Sequence, residues 1–323
     1  MTARAVRPPL ALLVRAARAR NVRIALAVLT PSVLAGYLLL HHESVEAGAA
    51  VVGVADREWI VLGACCAVLT WCAATGCQLG ALDAVVPVRR LFATQVASSF
   101  VSHVLPGGVG QVGLNARMLL RSGLTGEQVT SAVVLNALAG GVVHTAALLV
   151  LLAVAGAPAH LVNGTLLAIL IAMLIATCAA APVLLSRLGR RRTPLGAQAR
   201  AVLDHGRAAL RDPRRATLLV GGSGAILVLH IVTLIAVLHA LHQSAPLTAV
   251  AVIYLACSAV GAAFPGPGGF GGFDLLLASA LISSGIAASY AAGTVIAYRA
   301  LTVWLPMLPS AVTLLVMVRR KIV

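Results

Sequence analysis

Charge is scarce in this chain: 10% of its 323 residues are Asp, Glu, Lys or Arg, and the acids number nine. A soluble domain carries about 25% charged residues, so a soluble enzyme or binding module is excluded. The scarcity of carboxylates removes paired acids for acid–base work, and no Ser-His-Asp set, phosphate-binding P-loop or His/Cys ligand cluster is present. The sequence therefore points away from an enzyme, and no cofactor is expected. A lipid-modifying transferase is the second class left open, with Asp83, Glu127 and the acids between His41 and Glu58 as its candidate carboxylates. Cys65, Cys66, Cys72, Cys77, Cys178 and Cys257 stand in apolar segments without a His or carboxylate at ligand spacing, and read as small core residues.

Apolar residues supply what charge does not. They make up 60% of the chain, and the mean hydropathy is +0.99. Stretches close to the roughly 20 residues needed to cross a bilayer recur throughout, leaving no room for a separate soluble domain. The chain reads as one transmembrane domain, 1–323: a basic segment 1–23, a first half 24–185, an arginine-rich loop 186–215 and a second half 216–318. The net charge of +15 falls between apolar spans rather than on a globular face, so it sets topology and does not bind nucleic acid. Arg4 to Arg23 followed by the run Ile24 to Leu40 reads as an uncleaved first span, with Pro8 to Arg23 as a basic amphipathic helix at the surface.

Charge placement orders the spans. Arg89-Arg90, the loop Ser186 to Arg215 and Arg319-Arg320-Lys321 lie on the cytoplasmic side of a bacterial plasma membrane by the positive-inside rule, as does the N-terminal segment. Crossings are then expected at Ile24–Leu40, Trp59–Gln78, Gln128–Ala155, Thr165–Leu185, Thr217–Leu241 and Ala287–Val318, the last long enough to be tilted, kinked near Pro306 and Pro309, or extended into the cytoplasm. Leu91 to Leu120 has basic sequence at both ends, so it must enter the membrane and return. Leu247 to Ser284 is its counterpart from the outer face. The expected architecture is all-α and polytopic, with about six full crossings, two re-entrant helical hairpins and an inverted repeat.

Both hairpins turn at a Pro-Gly-Gly-x-Gly string. Pro106, Gly107, Gly108 and Gly110 form the first; Pro267, Gly268, Gly269 and Gly271 form the second, 161 residues later. Such strings unwind a helix, and unwound backbone at membrane depth must be buried in protein or line a polar cavity. Paired interruptions in two halves mark a transporter-like site at the repeat interface. A single cluster also suits close helix packing, which is the reading for Gly140-Gly141 and Gly221-Gly222.

Few charges fall inside the apolar units. Asp274 opens the helix after the second string, and Arg299 lies within the last crossing. An arginine at depth is costly and its planar fork suits phosphate, so Arg299 is a candidate for holding an anionic head group, with Asp274 as its counter-charge. The alternative is a buried ion pair that only fixes packing. Arg117 and Arg121 lie closer to the inner interface, where snorkelling competes with a site role, and Tyr298 and Trp304 offer rings beside Arg299. His103, His144, His230, His239 and Asn136 read as packing residues.

Leu105-Pro-Gly-Gly-Val-Gly-Gln-Val-Gly followed by Arg117, and Phe264-Pro-Gly-Pro-Gly-Gly-Phe-Gly-Gly-Phe-Asp274 followed by Tyr298-Arg299, resemble the lysylphosphatidylglycerol synthase transmembrane-region family. The resemblance implies a flippase-like protein that moves an anionic or aminoacylated phospholipid, or a polyprenyl lipid, between leaflets. It implies membrane lipids as partners, together with a separately encoded aminoacyl- or glycosyltransferase, for which the chain is alternatively a scaffold. The soluble synthase domain of some relatives is not found in this sequence, so synthase activity is not carried over. Asp274 replaces the Glu of many relatives, which shortens its reach.

Overall fold

The computed structural model describes residues 50, 52–104, 109–155, 181–190, 193–261 and 272–323. Ten helices order them: α1 Arg57–Ala81, α2 Val88–Val104, α3 Val109–Arg121, α4 Gly126–Ala155, α5 Ala181–Gly189, α6 Pro194–Arg211, α7 Pro213–Ala240, α8 Leu247–Gly261, α9 Gly272–Ser283 and α10 Ala288–Arg319. Four of these, α1, α4, α7 and α10, are long and apolar enough to cross a membrane. They match four of the six expected crossings. The expected spans Ile24–Leu40 and, for the most part, Thr165–Leu185 lie outside the described residues, as does the Pro8 to Arg23 segment. The chain is a polytopic helical membrane protein.

The short helices fall in two pairs. At 1.5 Å per residue, α2 and α3 rise about 26 and 20 Å, and α8 and α9 about 22 and 18 Å, each less than the roughly 30 Å of hydrocarbon. Limb packs on limb in both pairs. Each is a hairpin whose bend, residues 105–108 or 262–271, lies outside the described residues.

The hairpins enter from opposite ends of the bundle. Helices α1 and α7 pack antiparallel: the Asp56 amide donates to the Ala240 carbonyl at one end, and Arg215 pairs with Asp83 at the other. Hairpin α2–α3 begins where α1 ends, at this second, basic end. Hairpin α8–α9 begins where α7 ends, at the first. Each returning limb then stops in the same way. Gly123 and Gly285, 162 residues apart, adopt φ of 93° and 95°. The amides one residue further on, of Leu124 and Ile286, reach back to the carbonyls of Leu119 and Leu281 at 3.3 and 3.1 Å. This is a Schellman stop, whose left-handed residue is most easily a glycine; His242 and Lys321, both at φ of 56°, close α7 and α10 in the same way. Three residues later a long crossing begins, Gly126 in one unit and Ala288 in the other. The order crossing, hairpin, glycine stop, crossing is thus repeated, with the direction reversed.

Two long helices carry a π-helical turn, Thr217–Gly221 in α7 and Ala300–Trp304 in α10. The helix stays continuous through Pro306 and Pro309, with the wide turn just before Pro306. Small residues let α1 and α7 touch at backbone distance. A Cβ on Gly80 would lie 2.4 Å from the Leu219 amide nitrogen, and one on Gly222 2.7 Å from that of Cys77. Gly222 is therefore a packing site as expected, whereas Gly140 and Gly221 have no atom within 4 Å of an added Cβ.

One apolar core joins the ends of α4 and α7 with α8, α9 and the first part of α10, through Leu234, Leu255, Leu277 and Leu281. A second gathers the basic end through Leu91, Met118, Leu119, Val129 and Met317, and a third, smaller one joins Cys77, Ala81, Leu135, Ala209 and Leu219.

Candidate functional site

Asp274 stands in the first turn of α9, where the helix N-terminus favours a carboxylate. Arg299 is the last α-helical residue of α10 before its wide turn. The structure brings the two together. Arg299 Nε donates to Asp274 Oδ1, and Nη2 donates to Oδ2 at 3.0 Å, a fork-to-fork pair. The side chains are 13% and 9% exposed, so the pair is largely out of solvent. Arg299 Nη1 makes no hydrogen bond among the described residues.

The depth of the pair follows from helix geometry. Asp274 precedes the end of α9 at Ser283 by nine residues and Arg299 follows the start of α10 at Ala288 by eleven. At 1.5 Å per residue both lie about 14 to 17 Å from that end, near the middle of the hydrocarbon. His103 stands fifteen residues into α2, about 22 Å from the opposite end. The two hairpins therefore overlap in depth.

Four rings seat the pair, one from each of four helices: His230 (α7), Tyr254 (α8), Phe273 (α9) and Tyr298 (α10). The Arg299 guanidinium carbon lies 4.8 Å from the Phe273 ring centroid, within cation–π range. Phe273 packs on Tyr298 with centroids 5.8 Å apart and edge-on to Tyr254 at 5.9 Å. His230 stacks on Tyr254 at 6.0 Å, and its Nδ1 meets the Tyr298 hydroxyl at 3.0 Å. The ring face under Arg299 is thus Phe273. Tyr298 is 3% exposed and faces His230, and Trp304 is 45% exposed.

The remaining candidates lie elsewhere. Arg117 and Arg121 are exposed near the basic end, and Arg121 Nη1 donates to the Lys321 carbonyl at 2.7 Å. Pro106, Gly107 and Gly108, and Pro267, Gly268, Gly269 and Gly271, lie outside the described residues. Gly110 is described: its added Cβ would come 2.7 Å from the Val101 carbonyl, so the limbs of the first hairpin touch there through backbone.

Three further sets of polar contacts hold the helices together, one of them around Asn136, a residue expected to pack, and two with no forerunner in the sequence. Within the first hairpin, Gln95 Nε2 donates to Asn115 Oδ1 at 2.9 Å, Asn115 Nδ2 donates to Ser98 Oγ at 3.2 Å, and Trp71 Nε1 donates to Ser99 Oγ at 2.8 Å from α1. Across α1, α4 and α7, Asn136 Nδ2 donates to Gln78 Oε1, while Cys77 Sγ donates to Asn136 Oδ1 and lies 3.1 Å from Ser223 Oγ. At the basic end His205 Nε2 donates to the Ala81 carbonyl and Arg215 Nε to that of Gly80. These two side chains cap the last carbonyls of α1, so arginines read as topology signals also close a helix.

The family model described as "Lysylphosphatidylglycerol synthase TM region" matches residues 22–310. The chain belongs to this lysylphosphatidylglycerol synthase TM region family. No curated protein matches it. The matched span of this family member contains both hairpins, the glycine stops, all four rings and the Arg299–Asp274 pair.

Proposed function

We propose that this family member is a flippase-like protein which carries a phospholipid head group past the middle of the membrane by exchanging it for the Arg299–Asp274 pair. The observation that carries the reading is the pair itself: two opposite charges, gripped bidentately, at mid-depth where oppositely entering hairpins overlap. Packing alone does not need them, because a buried ion pair is often matched or bettered by neutral side chains. Charges retained at depth in a membrane mark a substrate path by default.

Charge balance narrows the substrate. A purely anionic head group that took Arg299 would leave the Asp274 carboxylate buried without its cation, a situation that costs about 3–5 kcal/mol. A head group carrying both a phosphate and an ammonium replaces both partners at once. Its phosphate takes the Arg299 fork, and its ammonium takes Asp274. An aminoacylated phospholipid has this chemistry and phosphatidylglycerol does not. In this reading the basic end faces the cytoplasm of a bacterium, and a separately encoded aminoacyl- or glycosyltransferase delivers the lipid there.

Proteoliposomes with fluorescent lipids and a membrane-impermeant quencher test this. Aminoacylated phosphatidylglycerol should cross at least about tenfold faster than phosphatidylglycerol, the factor given by 1.4 kcal/mol of barrier. Arg299→Gln should abolish the difference. Equal wild-type rates for the two lipids, or unchanged transport in the variant, would end the proposal.

A further inference from the structure

The two π-helical turns differ in how firmly they are held. In α7 the Leu219 carbonyl accepts from Ser223 Oγ at 2.8 Å, and Gly80 lies against its backbone. That turn is locked to α1. In α10 the Leu305 amide donates to the Ala300 carbonyl, one residue further back than in an α-helix, and Pro306 has no amide hydrogen. Neither the α nor the π register therefore supplies the Leu301 carbonyl with a donor. One side chain helps locally: Thr302 Oγ1 donates to the Tyr298 carbonyl at 2.8 Å.

The open turn begins at the residue after Arg299. Before it, α10 packs on α7 and α9 and holds the ion pair. Beyond it, α10 runs along α2 of the first hairpin, with Met317 in the core at the basic end and the Lys321 carbonyl bound by Arg121. The first hairpin is fixed internally by Gln95, Asn115 and Ser98 and to α1 by Trp71. One helix thus joins both hairpins, its far end anchored and a carbonyl without an α or π donor beside the charge pair, while Leu301 and Val303 of the turn pack inward and Leu301 meets Gly63 of α1.

We propose that the turn Ala300–Trp304 is a joint: when the Arg299–Asp274 pair opens, the second hairpin and the first part of α10 swing about it against a stationary first hairpin. This places the moving part in a π-turn rather than in the proline-glycine bends. It rests on the proposed function only in taking a head group as the agent that opens the pair.

The test measures distance, not transport. Spin labels on unnatural amino acids at Val112 of α3 and Ser279 of α9, both exposed, report the separation of the hairpins in nanodiscs by pulsed electron resonance. Neutralising the pair with Asp274→Asn and Arg299→Gln should shift the main distance by about 5 Å, the size of one helical turn. Deleting Thr302 together with Pro306→Ala removes the extra residue of the turn and returns its missing donor without changing the phase of either side. In that background the shift should fall below about 2 Å. If the deletion does not fold, Pro306→Ala alone, which returns one donor, should at least halve the shift. An undiminished shift in the shortened helix, or no shift on neutralisation, overturns the proposal. A protein that moves no lipid yet shows this pattern would retain the joint and lose the transport reading.

Discussion

At the scale of single residues the decisive contrast is between arginines that share a charge but not an environment. Arg299 is buried against a carboxylate and a phenyl ring, while Arg117 and Arg121 are exposed near the basic end. Removing one member of a buried pair strands the other charge, so Arg299→Gln and Asp274→Asn should each destabilise the protein by about 3–5 kcal/mol. The double variant leaves no orphan charge and should recover more than half of that loss. Unfolding by steric trapping in bicelles measures all three, and additive single effects would show that the pair is not coupled. Arg121→Ala should cost no more than about 1 kcal/mol in the same assay. Arg215 is intermediate: its side chain is 14% exposed, pairs with Asp83 and caps α1 through the Gly80 carbonyl. Arg215→Ala should cost about 1–3 kcal/mol, and Arg215→Lys should not restore it, because one ammonium cannot reach both partners as a fork does.

At the scale of elements, glycine acts through three different requirements. Gly123 and Gly285 need a left-handed backbone, so alanine at either should cost about 1–2 kcal/mol and asparagine less. Gly80 needs empty space, since an added Cβ would press on the Leu219 backbone, which cannot rotate away. Gly80→Ala should cost about 1–3 kcal/mol, whereas Gly140→Ala and Gly221→Ala, in open surroundings, should be neutral or stabilising by up to about 1 kcal/mol. Thermal unfolding in one detergent ranks the set, and equal losses at Gly80 and Gly140 would contradict the packing account.

How far these elements can be read from sequence depends on whether their cause is local. The crossings and the hairpin limbs are legible because hydropathy and the placement of Arg89, Arg90 and Arg319 are properties of neighbours along the chain. Asp274 and Arg299 are legible singly, as charges in apolar surroundings. Their partnership with Phe273 is less so, although both charges have an aromatic residue immediately before them, Phe273 and Tyr298, which is the one available signal. The four-ring seat draws on His230 and Tyr254 from the two preceding helices, and a ring in an apolar helix looks the same whether it faces lipid or a neighbour. The π-turns were missed because an extra residue in a turn changes no composition. Pro306 marks the irregular part of α10 but not its kind.

At the scale of the whole molecule, the two halves share an order of elements but differ in what fills them. The first hairpin is bound by uncharged amides and hydroxyls, and the second by one ion pair and four rings. An inverted scaffold with unequal contents suits a fixed wall facing a moving one. The opposite entry of the hairpins gives a topological prediction. In vesicles of one orientation, with exposed native cysteines replaced, Ser122→Cys and Ser284→Cys should react with a membrane-impermeant maleimide from opposite sides. Labelling of both from one side would refute the inverted arrangement.

The central claim is that the Arg299–Asp274 pair is retained for transport rather than for the fold. The most direct measurement is the lipid translocation rate of the Asp274→Asn, Arg299→Gln double variant, reconstituted at wild-type yield and stability. Loss of the charge-assisted grip on phosphate, worth about 1.5–3 kcal/mol, predicts a rate about tenfold to a hundredfold below wild type in a folded protein. A folded double variant that moves aminoacylated lipid at the wild-type rate would contradict it.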